Sequence, residues 1–333
     1  MAETDQLELR ASIDKFFLRS GLTAQDQASC YDFVEKLFPD KFISVASCQG
    51  YCSMTVYVGH DIVIQFRSYK YQLDLPTTAM AREVYGIYAP QTKYVGTLPG
   101  LGLIVYSMKR IMGTTFKALR ERETMLGVST IPRAGLCKDL AVFLSMSWSR
   151  ASTNGFPLGF VGKSMRVRLQ SLTKNLPQRF RSVARRILEN LHSVQALPWV
   201  LTHGDIVAEN IMVDPSSGRL TGLVDWAEAE MLPFGTCFYG LEEMLGEITL
   251  AGFQYRQDAP ELRTMFWTEL KKHIPELGQS PVQEAVELAR DLGVLLWHGI
   301  AFDDGAIDRV VQEGRDLEEI YKLDAFLSVR SRL

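Results

Sequence analysis

The chain has 333 residues, 47% of them hydrophobic and 23% charged, with a formal net charge of −3. That is the balance of an ordinary soluble globular protein, long enough for two lobes, and it gives no overall pull toward nucleic acid or an anionic membrane. The polar, acidic start MAETDQLELR is unlike a signal or transit peptide, and no apolar run reaches bilayer length. Five scattered cysteines, of which only Cys48 and Cys52 lie close, lack the paired Cys/His set of a zinc site and suit reduced thiols in a cytoplasmic enzyme.

In chain order, residues 5–40 carry apolar positions at helical spacing, Leu7 to Leu18 and then Tyr31 to Phe38. Gly21 ends the first helix, Thr23 with Asp26 begins the second, and Pro39 closes it. From Lys41 the period changes to strands at Phe42–Ala46, Met54–Val58 and Asp61–Phe66, with Gly59-His60-Asp61 as a tight turn. Within the third strand, Gln65 and Arg67 share one face, opposite Ile62, Ile64 and Phe66. Thr77–Tyr88 reads as a helix capped by Thr77 or Thr78, followed by a strand pair at Tyr94–Thr97 and Gly102–Tyr106. Beyond Gly113 the pattern is helical apart from one central hairpin. Leu136–Trp148 is a buried helix, Asn154–Gly159 a loop, and Lys163–Arg186 a solvated helix face with eight Lys/Arg and no acid. The last third has core-facing helices around Phe266–Trp267 and Leu288–Trp297, broken at Pro260, Pro275–Gly278 and a turn at Asp303-Asp304-Gly305.

The central hairpin spans Leu201 to Glu230. Two apolar runs, Asn210–Val213 and Leu220–Val224, flank the turn formers Asp214-Pro-Ser-Ser-Gly218. His203-Gly-Asp205 and Asn210 precede the first arm and Asp225 follows the second, so folding the ribbon back brings Asp205, Asn210 and Asp225 together. Acids gathered at one strand edge repel unless a cation sits among them, which outlines a Mg²⁺ site. The wider segment, Asp205 to Glu247, holds nine acids against one base, Arg219. Two readings stand for the acids outside the cluster: an acceptor site favouring an amine-bearing substrate, or solvated helix charges.

Asp205, then Asn210 five residues on, then an Asp after the next strand, is similar to the catalytic arrangement of protein kinases. With His203-Gly204-Asp205 and Asp225-Trp226, the sequence resembles the aminoglycoside phosphotransferase and choline kinase-like family, more closely its fungal members. The resemblance covers roughly residues 43 to 300, with specific motifs at 203–210 and 225–226. It implies a two-lobed, α+β, protein kinase-like fold, with a small β-rich nucleotide-binding lobe over 41–108 and a helical large lobe over 109–333; the helical spacing of 1–40 then reads as a lead-in packed on the small lobe.

The same resemblance implies a small-molecule kinase that moves the γ-phosphoryl group of ATP to a hydroxyl. Asp205 would orient and deprotonate the acceptor while His203 orients the loop, and Asn210 and Asp225 would hold Mg²⁺. The segment around Gly50–Ser53 stands where the phosphate loop belongs, yet it has one glycine; it reads as a phosphate cradle or as a plain hairpin loop. Gln65 stands near the place of the phosphate-gripping lysine, so Arg67 either supplies the missing charge or is a solvent-facing arginine. Glu83 is the partner for that cation. Backbone groups of Ser107 and Lys109, in a segment 107–113 that answers to the hinge, would bond the adenine. The expected partner is a small-molecule acceptor, with no nucleic acid or membrane, and the oligomeric state is not legible. Rival readings are an ATP-driven condensation or dehydration on the same fold, and a nucleotide-binding pseudokinase.

Overall fold

The computed structural model describes residues 3–329 except 48, 128–131, 151–157 and 304–305. Cys48, the loop at 154–157 and the turn residues Asp304 and Gly305 therefore lie outside the described residues. The fold is α+β. Two compact units emerge, one of residues 1–83 and 87–112 and the other of residues 84–86 and 113–333. The lead-in helices group with the small unit, and the main division falls at Met112/Gly113.

In the small unit, α1 (Glu3–Arg19) and α2 (Asp26–Leu37) precede β1 (Ile43–Val45), β2 (Ser53–Val58) and β3 (Ile62–Ser68). Thr23 and Asp26 meet at the entry to α2, the Thr23 N–H and hydroxyl donating to Asp26 Oδ2 at 2.8 and 2.9 Å. The helix starts at Asp26, however, so Gln25 rather than Thr23 is at the N-cap, with no side-chain cap bond. After α3 (Leu75–Tyr85), β4 (Thr92–Leu98) and β5 (Leu103–Lys109) complete an antiparallel sheet of order β1-β2-β3-β5-β4. One sheet face carries Met54, Val56, Val58, Ile64, Phe66, Leu103 and Val105, and it packs on Phe16, Phe17, Cys30 and Val34 of the two helices. Alternation turns Ser53, Thr55, Gln65 and Arg67 to the other face. A dry side under helices and a polar side thus follow from the period of the strands alone.

Helix α3 starts earlier than the sequence suggests. It begins at Leu75, ahead of Pro76, and the Thr77 hydroxyl donates to Asp74 Oδ2 at 2.8 Å. Asp74, rather than Thr77 or Thr78, is the residue at the helix start. Proline in the first turn supports that start, since its missing N–H would have had no helical partner there.

The large unit opens with β6 (Thr114–Thr115) and α4 (Phe116–Leu126), capped by Thr115 Oγ1, which accepts the Ala118 N–H at 3.1 Å. Then come α5 (Arg133–Ser149), α6 (Phe160–Asn175), α7 (Arg181–Glu189) and α8 (Leu191–Gln195). The central segment holds β7 (Trp199–Thr202), β8 (Ile211–Val213), β9 (Leu220–Leu223) and β10 (Glu230–Pro233). Beyond it lie α9 (Tyr239–Leu245), β11 (Gly246–Thr249), β12 (Gly252–Tyr255), α10 (Ala259–His273), α11 (Ser280–His298), β13 (Ile300–Asp303), β14 (Ala306–Val310) and α12 (Leu317–Ser328). Helix α5 packs on α10, and α11 packs on α7, α8 and α12.

The expectation of helix everywhere outside the central hairpin is corrected by three further antiparallel pairs: β7–β10, β11–β12 and β13–β14. Strand β6 also joins the central hairpin, giving a sheet of order β6-β8-β9. Gly113 makes that approach possible, because a Cβ there would stand 2.3 Å from Val213 O. No helix among the described residues is long and apolar enough to cross a membrane.

Candidate active site

The loop Thr202–Asn210 hangs between β7 and β8. Strand β7 is registered on β10 with Thr202 opposite Glu230, so the loop begins where the chain leaves that pair. Gly204 adopts φ +78°, and a Cβ there would lie 2.1 Å from Glu228 O. The tripeptide is therefore His-Gly-Asp because a side chain at its centre would occupy the Glu228 carbonyl.

His203 is buried and both ring nitrogens are engaged. Nδ1 accepts the Asp205 N–H at 3.2 Å, so Nε2 carries the proton and donates to Val224 O at 2.9 Å. Burial pushes the imidazole down to about 4, which keeps it neutral. One ring thus ties the loop that carries Asp205 to the strand end that carries Asp225. The Trp226 ring lies edge-on to His203 at 4.6 Å, and its Nε1–H donates to Leu223 O at 3.0 Å. Tyr85 and Phe143 back the indole at 5.0 and 6.3 Å.

Asn210 Nδ2 donates to Asp205 Oδ2 at 2.7 Å and to Asp205 O at 3.0 Å. Its own carbonyl accepts the Val224 N–H at 3.0 Å, which places Asp225 next in register. Asp225 adopts φ 60°, ψ 71°, the sole non-glycine with positive φ among the described residues. A left-handed aspartate is a strained conformation of the kind held at functional sites. Burial, then the nearby Asp225 charge, pushes Asp205 up to about 7, against the opposing bond from Asn210. The Asp205 loop is held from a second side by Tyr239, whose hydroxyl accepts the Ile206 N–H at 3.1 Å.

The turn linking β8 and β9 is built by one side chain. Asp214 Oδ1 accepts the N–H groups of Ser216 and Ser217 at 2.9 and 2.8 Å, together with both serine hydroxyls. Those bonds, the Ser216 hydroxyl first, hold its carboxyl down at about 2. Asp214 thus serves the hairpin, and the acids beyond it serve the large unit. Glu230 takes the N–H groups of Val161 and Gly162 at the start of α6 at 3.0 and 2.8 Å. Glu242 pairs with Arg263 at 2.7 Å and Arg290 at 3.5 Å, Glu243 with Lys322 at 2.9 Å, and Glu209 with Lys117 at 3.1 Å. Glu242 and Glu243 are buried, which corrects the picture of solvated helix charges. Glu228 and Glu247 stand exposed. Within the 163–186 run, Arg179 is likewise tied to Asp324 and Arg186 to Asp291.

In the small unit, Ser53, Gln65 and Arg67 come together. Ser53 is registered opposite Arg67, and Arg67 Nε donates to Gln65 Oε1 at 3.1 Å. Arg67 Nη1 also donates to Tyr71 O at 3.4 Å, and the side chain is 2% exposed, so the solvent-facing reading is overturned. Ser53 is the first residue of β2 rather than a loop residue. Glu83 is exposed on α3. The expectation for Lys109 needs correction: β5 runs to Lys109, whose N–H donates to Gln91 O at 2.9 Å, and the Arg110 N–H donates to Asp61 O at 2.8 Å. Ser107 stands within the same strand, registered against Ile64 and Lys93. Backbone outside the ladder begins at Ile111 and Met112, because β5 outruns its sequence pattern. Of the residues that brace the loop, Trp226 was read from sequence only as part of the Asp225-Trp226 motif, and Tyr239 was not singled out.

The sequence model of the phosphotransferase enzyme family matches residues 139–235, which contain the His203, Asp205, Asn210 and Asp225 set. The Bacillus subtilis protein YcbJ is 32% identical over 89 residues, 27% of this chain and 28% of that protein. Among solved structures, a mutant aminoglycoside 2'-phosphotransferase-IIIa bound to GDP superposes with a TM-score of 0.55 at 14% identity, covering 80% of this chain and 88% of that one. The GDP and kanamycin complex of APH(2")-IIIa gives 0.50 at 14% identity, over 80% and 90%. At such identity the likeness speaks for the fold. Residues 139–235 thus carry the sequence signature of the phosphotransferase enzyme family, set in the protein kinase-like fold of the aminoglycoside phosphotransferases.

Proposed function

We propose that the protein is a small-molecule kinase, transferring the γ-phosphoryl group of ATP to an alcohol with the help of Mg²⁺. The observation that carries this reading is the His203 clasp, which ties the Asp205 loop to the residue before Asp225. Asn210 fixes Asp205 Oδ2, which leaves Oδ1 to orient the acceptor hydroxyl and take its proton. His203, neutral and doubly bonded, holds that geometry rather than moving protons itself.

The donor set suits a hard divalent cation. The Asn210 amide directs Nδ2 at Asp205, so Oδ1 is its remaining ligand atom, and the Asp205 carboxyl, raised first by burial and then by the Asp225 charge, is a group whose ionised form a cation would favour. Asn210 and Asp225 would hold Mg²⁺. When bound, the ion supplies neutralisation of the charge on the transferring phosphates. On the small unit, Arg67 with Gln65 is assigned to the α- and β-phosphates, Glu83 to supporting that cation, and the backbone of Gly50–Ser53 to the phosphate cradle. Base recognition moves to the backbone of Ile111 and Met112.

The acceptor is a small molecule. Kanamycin, named with one solved relative, is an amine-rich alcohol. The acid surplus that would favour such a compound is here largely engaged within the protein, so amine-bearing and neutral alcohols are to be tested side by side. The decisive experiment is calorimetric titration with Mg·ATP and Mg·GTP, followed by ADP or GDP release across both acceptor sets and product masses. A stable phosphate ester with Asp205-dependent turnover is expected. A dehydrated or ligated product would move the protein to ATP-driven condensation or dehydration. Binding without turnover across the panel would favour the pseudokinase, a reading supported by the single glycine near Gly50.

A further inference from the structure

One contact joins the N-terminal helices to the segment assigned above to the phosphates. Arg19 is the last residue of α1. Its guanidinium lies 3.8 Å over the Tyr51 ring, and Nη2 donates to Tyr51 O at 2.7 Å, so one side chain grips both ring and carbonyl of one residue. Tyr51 in turn meets Tyr71 edge-on at 6.1 Å, and Tyr71 O accepts from Arg67. The strand side of the same loop is fastened by Gln49. Its amide donates to Ala46 O and Thr55 O at 2.9 Å each and accepts the Thr55 N–H at 2.8 Å. Residues 49–53 are therefore held by side chains from two directions.

The physical need for such fastening follows from the sequence. A loop that offers N–H groups to a polyanion must hold them aligned before the ligand arrives, since ordering it on binding subtracts from affinity. Here one glycine, Gly50, stands among residues 47–53, and the shape is imposed by contacts instead. Arg19 Nε is buried with no hydrogen-bond partner among the described residues, a destabilising feature that plain packing would not require.

We propose that Arg19 is a positioning residue for nucleotide binding: through Tyr51 it holds residues 49–53 in their phosphate-binding shape, so that the N-terminal helix is part of the nucleotide machinery. The inference rests on the nucleotide reading above. Arg19→Ala and Arg19→Lys would be compared with Lys15→Ala, an exposed position on the same helix, by calorimetric titration with Mg·ATP at low temperature alongside thermal melts. Arg19→Ala is expected to raise the Kd roughly tenfold. Arg19→Lys recovers most of it, because an ammonium still sits over the ring and donates to the carbonyl, and Lys15→Ala leaves it unchanged. The KM for ATP should follow the same order with kcat little altered. Binding by Arg19→Ala within twofold of wild type would overturn the inference, as would equal losses in both Arg19 variants that merely track a fall in Tm. Absence of Mg·ATP binding to wild type would overturn the nucleotide reading and this inference with it; wild-type binding with an indifferent Arg19→Ala would overturn the inference alone.

Discussion

At position 204 the backbone is positive in φ and a Cβ would press on the Glu228 carbonyl. Gly204→Ala must therefore displace either the loop or the 226–228 turn, at a cost on the order of 2–4 kcal/mol. Thermal melts should show the loss, and ADP release should fall further than stability does, because the displaced segment carries Asp205. Asp205→Asn separates chemistry from fold: the Asn210 contact has a replacement oxygen, so turnover should drop by about 10²–10⁴ if the carboxylate is the base. Mg·ATP affinity should stay within about threefold of wild type. An Asp205→Asn enzyme as fast as wild type would remove Asp205 from the chemistry. These residues were legible because their offsets are local: His203, Asp205 and Asn210 lie within eight positions, and the hairpin supplies Asp225. Tyr239 was not, because its hydroxyl reaches Ile206 from 33 residues away. Arg67 fell between the two cases. Strand alternation gave its face, while its burial depends on Tyr71 and Gln65, which no period reports.

Among elements, those set by turn chemistry stand where the sequence puts them. Asp214 shapes the β8–β9 turn, and Thr23 bonds Asp26 just ahead of α2, two residues short of the N-cap at Gln25. Misread elements are short. The segment Gly246–Tyr255 is a hairpin of two four-residue strands, too brief for a period of two to stand out from a helical one. The acids of α9 were misjudged for another reason: their partners Arg263, Arg290 and Lys322 lie on α10, α11 and α12, and no local pattern pairs residues so far apart. Glu242→Gln would leave the enclosed Arg263 guanidinium without its carboxylate and remove one of the two acids beside Arg290, which keeps Asp291 at 2.6 Å, a loss on the order of 3 kcal/mol. A drop in Tm on the order of 10 °C is expected, with activity at low temperature retained. The His203 clasp makes a pH prediction at this scale. Its folded pKa lies near 4, below the ordinary 6.5, so the unfolded chain binds the proton more readily. Stability from this group is complete above about pH 6.5 and is lost as pH falls toward about 4, by roughly 3 kcal/mol. Urea unfolding at several pH values should show wild type losing more than His203→Gln across that window; parallel curves would refute the clasp as the titrating element.

For the molecule as a whole, the sequence foretold a β-rich small lobe, a helical large one and, over residues 1–40, a helical lead-in packed on the small lobe. The structure gives those residues half of a core. Ile13, Phe16, Phe17, Cys30 and Val34 cover the face formed by Met54, Val56, Val58, Ile64 and Phe66, so the five-stranded sheet would be bare on that side without them. Helical period alone shows that a helix has an apolar stripe, not which sheet will cover it. Each unit accordingly has an interior of its own, and damage to one core should stay within that unit. Phe17 is fully buried, so Phe17→Ala should remove about 3–5 kcal/mol from the small unit. Backbone hydrogen exchange is the measurement that locates the loss. Protection should fall across β2, β3 and β5 while α5, α10 and α11 keep theirs, and the melt should broaden or split because one transition no longer describes both units. Equal loss of protection in α5 and β3 would mean that the two interiors unfold as one cooperative body.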